Sequence, residues 1–490
     1  MPSRRKIEYV PFAREIDTHG GRDLRQLESE LATLPQRRPL RDVNEWGVVD
    51  IEALTLSIRS RLSTELSYSL TTLSLLSTMK GQTPGSGFPI FQCQDLLDEL
   101  LDLLEDTAFG GLEDTFDVNE SMSEPLVTHR DLLTAFQESE LDLFSNLRMQ
   151  QGCKDPDLGP RQRPGNLVLV AVNIIRNLSV VHDNVEFIAK QTRLIDLLLR
   201  LCDVEHRPFL RPVSPVLSLS DLVTVRKDAL YTLSVIGGFL HISDEVKDSI
   251  RIAARTFRLV ASYLVDSFEA VSPLQCVQVA GALHGVHLRP PTMADIALEV
   301  FARLGQPDGN RQAFSRFIPD HLISTLFVSL VHRLPMVDAD FQLVMREQWL
   351  SYLEKTIMGL YTLAFLAPPH LKSSLKTDRK LGFKGVMLRM VQKFLITQES
   401  RASFMVCARR AIETMKILDD CANLFDQPTS TGPTIAFGMG YGELGENSAE
   451  KGTGLLGGHR ELAWDMLMLR EVWADEVIFG ELESLARVDI

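Results

Sequence analysis

The sequence predicts an all-α protein built as an array of irregular helical repeats. Apolar residues recur at steps of three and four along most of the chain, which is the spacing of one helix face. Units of similar pattern begin near residues 167, 222 and 274, and helical units of this kind stack on their neighbours. No segment shows the apolar and polar alternation of a half-buried strand. These three observations favour helices throughout.

Residues 1–44 form a lead-in arm of mixed charge, which we expect to be partly disordered. Basic residues cluster at Arg4, Arg5 and Lys6 and again at Arg37 and Arg38, with little periodicity between. Short basic runs of this type serve as nuclear import signals or lie on a solvated surface. The sequence leaves both interpretations open.

Residues 45–151 form an N-terminal helical region with an acidic face. Leucines and isoleucines at helical spacing predict one long amphipathic helix over Asp50–Met79, and a second helix over Gln92–Glu105. Between Lys80 and Arg130 there are eleven Asp or Glu and no Lys or Arg. Such a face is expected either to be simply solvated or to dock a basic partner, such as a histone tail or a basic helix, through Asp98 and Asp102.

Residues 166–424 carry the repeat pattern itself. The stretch LVAVNIIRNLSVVHDNVEFIAKQTRLIDLLLRL reads as helix, short helix, helix, the order of one armadillo repeat. The unit starts are 55 and 52 residues apart, longer than the roughly 40 to 47 residues of HEAT and armadillo units. We therefore predict an armadillo/HEAT-like array with irregular repeats. Further helices are predicted at 322–334, 349–367, 386–395 and 404–424.

The C-terminal part divides into a loop and a helical end. Residues 425–458 are rich in Gly, Thr, Ser and Pro, which predicts a flexible loop. Residues 459–490 are helical in pattern and too apolar for a solvated tail, so we expect them to cap the array or to clasp a partner. Trp473 and Phe479 are the candidate contact residues there.

The sequence carries no recognisable catalytic machinery, and we expect no enzyme activity, no cofactor and no metal. The glycines at 440, 442 and 445 match a dinucleotide-binding pattern, but no strand and helix flank them. Six scattered cysteines show no metal-ligand spacing. The alternative is an all-α enzyme whose site is not recognised, with His284 and His287 as its first candidates.

The charge balance bears on the partners. A formal charge of −14 opposes general binding along a phosphate backbone, so no direct DNA binding is expected from this chain. The longest uncharged stretches are shorter than the ~20 residues of a membrane span, so no membrane association is expected. No small-molecule substrate is expected either.

Three segments resemble a known family: RRPLRDVNEWGVVDIEALTLSIRSRLSTELSYSLTTLSLLSTM, FPIFQCQDLLDELLDLLED and NIIRNLSVVHDNVEFIAKQ. They are similar to the C-terminal region of the ARID-bearing subunit of fungal SWI/SNF chromatin remodellers, and the resemblance runs from about Arg37 to about Leu424. It implies an armadillo-like fold, a nuclear location and a scaffold role beside a separate ATPase subunit. The AT-rich DNA-binding domain of that family is missing from these 490 residues, so DNA binding is not carried over.

These observations lead to one functional expectation and one alternative. We expect a non-catalytic scaffold subunit of a SWI/SNF-type ATP-dependent chromatin-remodelling complex, which regulates transcription in the nucleus through protein–protein interaction. Its partners would be other subunits of the complex, and the candidate contact residues are Trp46, Asp98, Asp102, Trp473 and Phe479. The alternative is a cytoplasmic armadillo or HEAT adaptor unrelated to chromatin.

Overall fold

The structure is a computed structural model, and the residues that it describes are almost entirely helical. It describes residues 48–81, 83–141, 154–155, 159–160, 163–205, 209–242, 247–279, 289–396, 401–421 and 460–486. The chain divides into two compact units, Met1–Ala53 and Leu54–Ile490, and of the first only residues 48–53 are described. The helical array belongs to the second unit.

The helices follow one another with short connections in most places. In chain order they are α1 Ile51–Ser60, α2 Ser63–Thr78, α3 Gln94–Phe109, α4 Val118–Ser123, α5 His129–Leu141, α6 Pro164–Ser179, α7 His182–Lys190, α8 Thr192–Arg200, α9 Leu219–Ile236, α10 Lys247–Leu264, α11 Pro273–Val279, α12 Thr292–Leu304, α13 Asp308–Phe317, α14 Asp320–His332, α15 Asp338–Val344, α16 Glu347–Leu366, α17 Pro369–Thr377, α18 Phe383–Ile396, α19 Arg401–Asp420, α20 Arg460–Leu467, α21 Arg470–Trp473 and α22 Glu476–Ala486. Short 3-10 turns occupy Ile90–Gln92 and Gly237–Phe239.

Extended structure is confined to two small antiparallel ladders in the described residues. Strand β1 (Lys154–Asp155) pairs with β2 (Gly159–Pro160), and β3 (Val204–Glu205) pairs with β4 (Arg211–Pro212). Ladders of two residues cannot form a sheet with a buried face. The predicted all-α class is therefore confirmed.

The array is organised around a row of long helices, each of which packs against the next one in the row. The row runs α6, α9, α12, α16, α19, and these helices begin at residues 164, 219, 292, 347 and 401. At its start α2 and α3 both pack on α6, and at its end α22 packs on α19. Contacts between neighbours in the row are the pattern of a repeat array, which confirms the predicted helical repeats.

Each unit of the array has the same order of elements: a long helix, a short helix or 3-10 turn, and a second helix. The order holds for α6–α7–α8, α12–α13–α14 and α16–α17–α18, and α9 and α10 enclose the turn Gly237–Phe239. The helix pair α2 and α3 encloses the turn Ile90–Gln92 in the same way. The sequence also predicts five segments, 1–44, 45–151, 166–424, 425–458 and 459–490, and this division of the chain stays a prediction.

The sequence pattern predicts that a third unit begins near Leu274, but in the structure it does not. Its long helix α12 begins at Thr292, 73 residues after α9 begins at Leu219. The extra residues hold α11, which packs against another additional helix, α15. The Leu274 backbone N–H donates to the Asp340 carboxylate of α15 at 2.7 Å. The apolar residues of α11 therefore pack against α15 and do not begin a new unit.

The predicted long helix over Asp50–Met79 is also wrong, because the structure has two helices there. Arg61 has a φ of 56°, in the left-handed region, and this ends α1 before α2 begins at Ser63. The helical spacing of the leucines predicts that Leu62 is buried, but its side chain is 57% exposed. A break of two residues keeps the spacing of leucines nearly unchanged, so periodicity alone does not detect it.

Buried asparagines fix the short helices to the ends of the long ones. Asn184 of α7 donates to the carbonyls of Leu178 at 3.0 Å and Phe88 at 2.9 Å. The last carbonyls of a helix have no partner inside the helix, and an amide NH₂ has two donors. One side chain therefore caps α6 and holds the connection of the preceding unit.

Candidate protein interaction surfaces

Most acidic residues of the face predicted around α3 form ion pairs with arginines of the same chain. Arg193 of α8 lies 2.7 Å from the Asp102 carboxylate and 2.6 Å from that of Glu105. Arg59 lies 2.6 Å from Glu99, and Arg61 lies 3.4 Å from Asp106. Such exposed or half-exposed pairs contribute little individually, but they lower the charge available to a partner.

Asp98, the other acidic residue expected to contact a partner, is half-buried on α3 one helical turn before Asp102. Within the described residues it forms no ion pair. Asp95, on the same part of the helix, also forms no ion pair within the described residues, although its charge acts on that of Arg59. A role of this end of α3 in binding a basic partner stays a prediction.

A cluster of charged side chains surrounds Arg255 of α10, whose side chain is almost fully buried. Its guanidinium donates to three carboxylates: Asp114 at 2.7 Å, Asp196 at 2.9 Å and Asp203 at 2.7 Å. The ring of Phe116 lies against it, with its centroid 4.4 Å from the guanidinium carbon. Arginine has the donors and the planar shape for such multiple pairing. The cluster ties the loop after α3 to α8 and α10.

A cavity of about 180 Å³ lies beside Arg255, and charged side chains form much of its lining. Arg226 donates to the Cys202 carbonyl at 2.9 Å, and Arg258 donates to the Ser121 carbonyl. Burial raises the pKa of the Cys202 thiol to about 12, so the thiol is protonated at neutral pH and is a poor nucleophile. This arrangement holds the segment 111–130 onto α10.

His129, at the end of the segment 111–130, also contacts α10, through the ring of Tyr263. Their rings stack with centroids 4.5 Å apart. Burial lowers the pKa of His129 to about 4, and the nearby Arg226 charge acts in the same direction. His129 is therefore neutral at physiological pH and acts as an aromatic packing group.

The C-terminal helices present large apolar side chains to solvent. Trp464, Met468, Trp473 and Val477 are 57%, 81%, 71% and 47% exposed. We call these four residues the C-terminal apolar surface. Phe479, expected to act with Trp473, is half-buried beside them on α22. Exposed tryptophans are frequent anchors of protein interfaces.

The first helices of the array leave a second apolar face uncovered. On α2 and directly after it, Tyr68, Leu75 and Met79 are 63%, 36% and 39% exposed. Their spacing of seven and four residues places them on one side of the helix. From Leu66 to Met79 the chain has no charged residue. We call these three residues the α2 apolar face.

The structure does not bring all the predicted contact residues together. Asp98 and Asp102 share α3, and Trp473 and Phe479 share the C-terminal helices, but α3 packs on α6 and α22 on α19, at opposite ends of the helix row. Trp46, the histidines at 284 and 287, and the glycines at 440, 442 and 445 lie outside the described residues. In the part of the chain that is described, no group of three or more His, Cys, Asp or Glu is arranged to hold a metal ion.

Sequence reasoning missed Arg255 and the buried asparagines. A signal for the asparagines exists: Asn184 follows Leu178 by six residues, and Asn310 follows Leu304 by six. The partners of Arg255 come from distant positions, so no local motif marks them.

No single described helix is long and apolar enough to span a membrane. Among the described helices, only the pair α6 and α7, bent by 119°, has the length and composition of a span when the two are taken together.

Comparison with known proteins relates the chain to a chromatin-remodelling subunit. No family model matches the chain. The chain is similar to the SWI/SNF chromatin-remodeling complex subunit sol1 of Schizosaccharomyces pombe, with 26% identity over 217 residues. The matched region is 41% of this chain and 24% of that relative, so the chain spans about a quarter of the relative's length.

Proposed function

We propose that this chain is a non-catalytic scaffold subunit of a SWI/SNF-type ATP-dependent chromatin-remodelling complex, acting in the nucleus on transcription through protein–protein contacts. One observation carries the scaffold role: both ends of the helix row leave apolar side chains uncovered, on the α2 apolar face and on the C-terminal apolar surface. Arrays of helical units need polar caps at their ends to stay soluble alone. Open ends are expected where neighbouring subunits cover them.

The assignment to a remodelling complex is supported by the similarity to the fission yeast subunit. The resemblance seen in three sequence segments agrees with it. The proposed partners are other subunits of the complex. A basic segment, for example of a histone, is proposed to bind the acidic end of α3 at Asp95 and Asp98.

A non-catalytic role is supported by the chemistry of the Arg255 cluster. Arg255 donates hydrogen bonds to all three aspartates, and the Cys202 thiol is held protonated. Burial raises the pKa of Asp203 to about 6, but this carboxyl group is engaged by its hydrogen bond to Arg255. General acid–base or nucleophilic catalysis needs a group that is open to substrate. The groups of this cluster hold segments of the chain together instead.

Affinity purification of the tagged full chain from nuclei, followed by mass spectrometry, tests the proposal. We expect remodeller subunits, including an ATPase, among the recovered proteins. The variant Tyr68→Ser/Leu75→Ser should fold normally and lose part of that set, because both side chains are exposed. The matched control is Phe209→Ser, an exposed aromatic outside both surfaces.

Recovery without any remodeller subunit would overturn the proposal. Imaging of the tagged chain separates the alternative adaptor, since a purely cytoplasmic signal favours it. A complex that assembles equally with the double variant would show that the α2 apolar face is not a subunit contact.

A further inference from the structure

We propose that the C-terminal apolar surface is the docking site for a basic amphipathic helix of a partner protein. The inference rests on the proposed scaffold function and names the kind of partner that this end of the array receives. The surface consists of Trp464, Met468, Trp473 and Val477, all at least 47% exposed. Such a concentration of large exposed apolar groups, on three short helices and on the turn that follows α20, marks an interaction site.

These side chains are not needed to attach the C-terminal helices to the array. A different set of side chains is fully buried and does so: Met466, Leu467, Val472, Ile478, Leu482 and Leu485. Through this set α22 packs on α19 and α20 packs on α18. The exposed set is therefore the remaining face of the same helices, left without a covering element among the described residues.

The geometry of the surface suits a helix. The Met468 N–H donates to the Trp464 carbonyl at 3.0 Å, so these two side chains are one helical turn apart on the same side. Trp473 ends α21 and Val477 lies in the first turn of α22, and the three C-terminal helices pack on one another. An amphipathic helix presents anchors at i, i+3 or i+4, and i+7, which can insert between side chains spaced by helical turns.

The net charge of the C-terminal helices themselves favours a basic partner. Residues 460–486 contain seven Asp or Glu and two Arg. Asp465 and Glu476, close to the tryptophans in sequence, are exposed, and Asp475, which lies between Trp473 and Val477 in sequence, is half-buried. A second copy of this chain would bring like charges together, which disfavours self-association. A partner helix with Lys or Arg flanking its apolar stripe has the complementary pattern.

Peptide binding to the full chain tests the inference. The probe is a fluorescently labelled 18-residue peptide with Leu at helical spacing and Lys elsewhere, and the matched probe carries Glu in place of Lys. We expect the Lys peptide to bind and the Glu peptide to bind at least roughly tenfold more weakly, the effect of about 1.4 kcal/mol. Trp464→Ala/Trp473→Ala should weaken binding of the Lys peptide by roughly tenfold or more.

The control is Phe209→Ala, which removes another exposed aromatic and should leave binding unchanged. Circular dichroism melts should agree among all three proteins, because none of the substituted side chains is buried. Equal binding of the two peptides, or no effect of the tryptophan substitutions, would overturn the inference. Analytical ultracentrifugation that shows a dimer lost in the double variant would also overturn it, in favour of a contact between copies.

The result is separable from the test of the scaffold function. Recovery of remodeller subunits with the double tryptophan variant, together with failure of the peptide to bind, leaves the scaffold proposal intact and removes this inference. Loss of a distinct subunit from the purified complex with this variant supports the inference.

Discussion

Asn184 and Asn310 make the same hydrogen bonds in two different units of the array. Asn310 of α13 donates to the carbonyls of Leu304 at 3.0 Å and Leu240 at 2.8 Å, as Asn184 does to Leu178 and Phe88. Asn310 also accepts from the Ile242 N–H at 2.7 Å. Each asparagine links the end of its own long helix to the preceding unit, so both act as junctions between units.

The substitution Asn310→Ala is expected to lower the free energy of unfolding by about 2 to 3 kcal/mol, because it leaves buried backbone groups without partners. Denaturant unfolding followed by circular dichroism measures this. Gln312→Ala, an exposed position on the same helix, is the control and should change stability by less than about 0.5 kcal/mol. Equal stability of the two variants would show that the junction is not held by Asn310.

Replacing Arg255 with Met is expected to cost about 3 to 5 kcal/mol near pH 7, because three aspartates remain close together without their shared cation. Part of the loss should be regained at mildly acidic pH, as the carboxylates take up protons. Arg211→Met, which removes an exposed ion pair with Glu205, should cost less than about 1 kcal/mol. A small effect at Arg255 would contradict a structural role for the cluster.

His129 should make the protein less stable as the pH falls. Its pKa is about 4 when folded and 6.5 as a free side chain, so the unfolded state binds the proton first. Its contribution is complete above pH 6.5 and decreases as the pH falls towards 4, by about 2 kcal/mol between pH 7.5 and 5. Asp203, whose pKa burial raises to about 6, has the opposite sign, since it gains stability on protonation in this range.

His129→Phe keeps the ring stack with Tyr263 and removes the titration, so its stability should vary less with pH than that of the unmodified chain. Asp203 titrates in both proteins, and the difference between the two curves therefore isolates His129. His321→Phe, at an exposed position, is the control. Parallel curves for the unmodified chain and His129→Phe would refute the assignment.

Truncation after Gly457 should lower thermal stability or solubility, or weaken assembly of the complex. It removes the buried side chains of α20–α22 and exposes the faces of α18 and α19 that they cover. Each large buried side chain is worth roughly 1.5 to 3 kcal/mol. Trp473→Ala, which alters only an exposed group, is the control and should melt normally. A truncated protein unchanged in all three properties would show that the segment is an ordinary tail.

The isolated chain is expected to bind duplex DNA weakly or not at all at physiological salt. Its formal charge is −14, and Arg255, Arg193 and several other arginines are paired with carboxylates. Fluorescence anisotropy with a labelled duplex measures this. Sub-micromolar affinity near physiological salt would show that the basic residues form a DNA-binding surface after all.

The sequence predicts the helices better than their order in space. The helix expected over Gln92–Glu105 is observed as Gln94–Phe109, and that expected over Trp349–Ala367 as Glu347–Leu366. Apolar spacing reports which side of a helix is buried, and this is a local property. It does not report the left-handed turn at Arg61 or the side contact of α11 with α15, because both depend on neighbours or on one dihedral angle.

The candidate surfaces were predictable only in part. Trp473 stands out in the sequence because it is a tryptophan in an apolar segment; its side chain is 71% exposed, and its role in contacts stays a prediction. The sequence predicts that Asp102 contacts a basic partner, whereas in the structure it pairs with Arg193 of the same chain. That pairing joins residues far apart in sequence, so composition gives no sign of it.

The uninterrupted succession of neighbour contacts from α6 to α19 has a kinetic consequence. Because most contacts join units adjacent along the chain, little loop-closure entropy opposes each step of folding. Any one pair of units can serve as a nucleus, and the rest can add to it in either direction. The amino-terminal units can thus fold while later ones are still being synthesised. The C-terminal helices fold last, when they pack on α19.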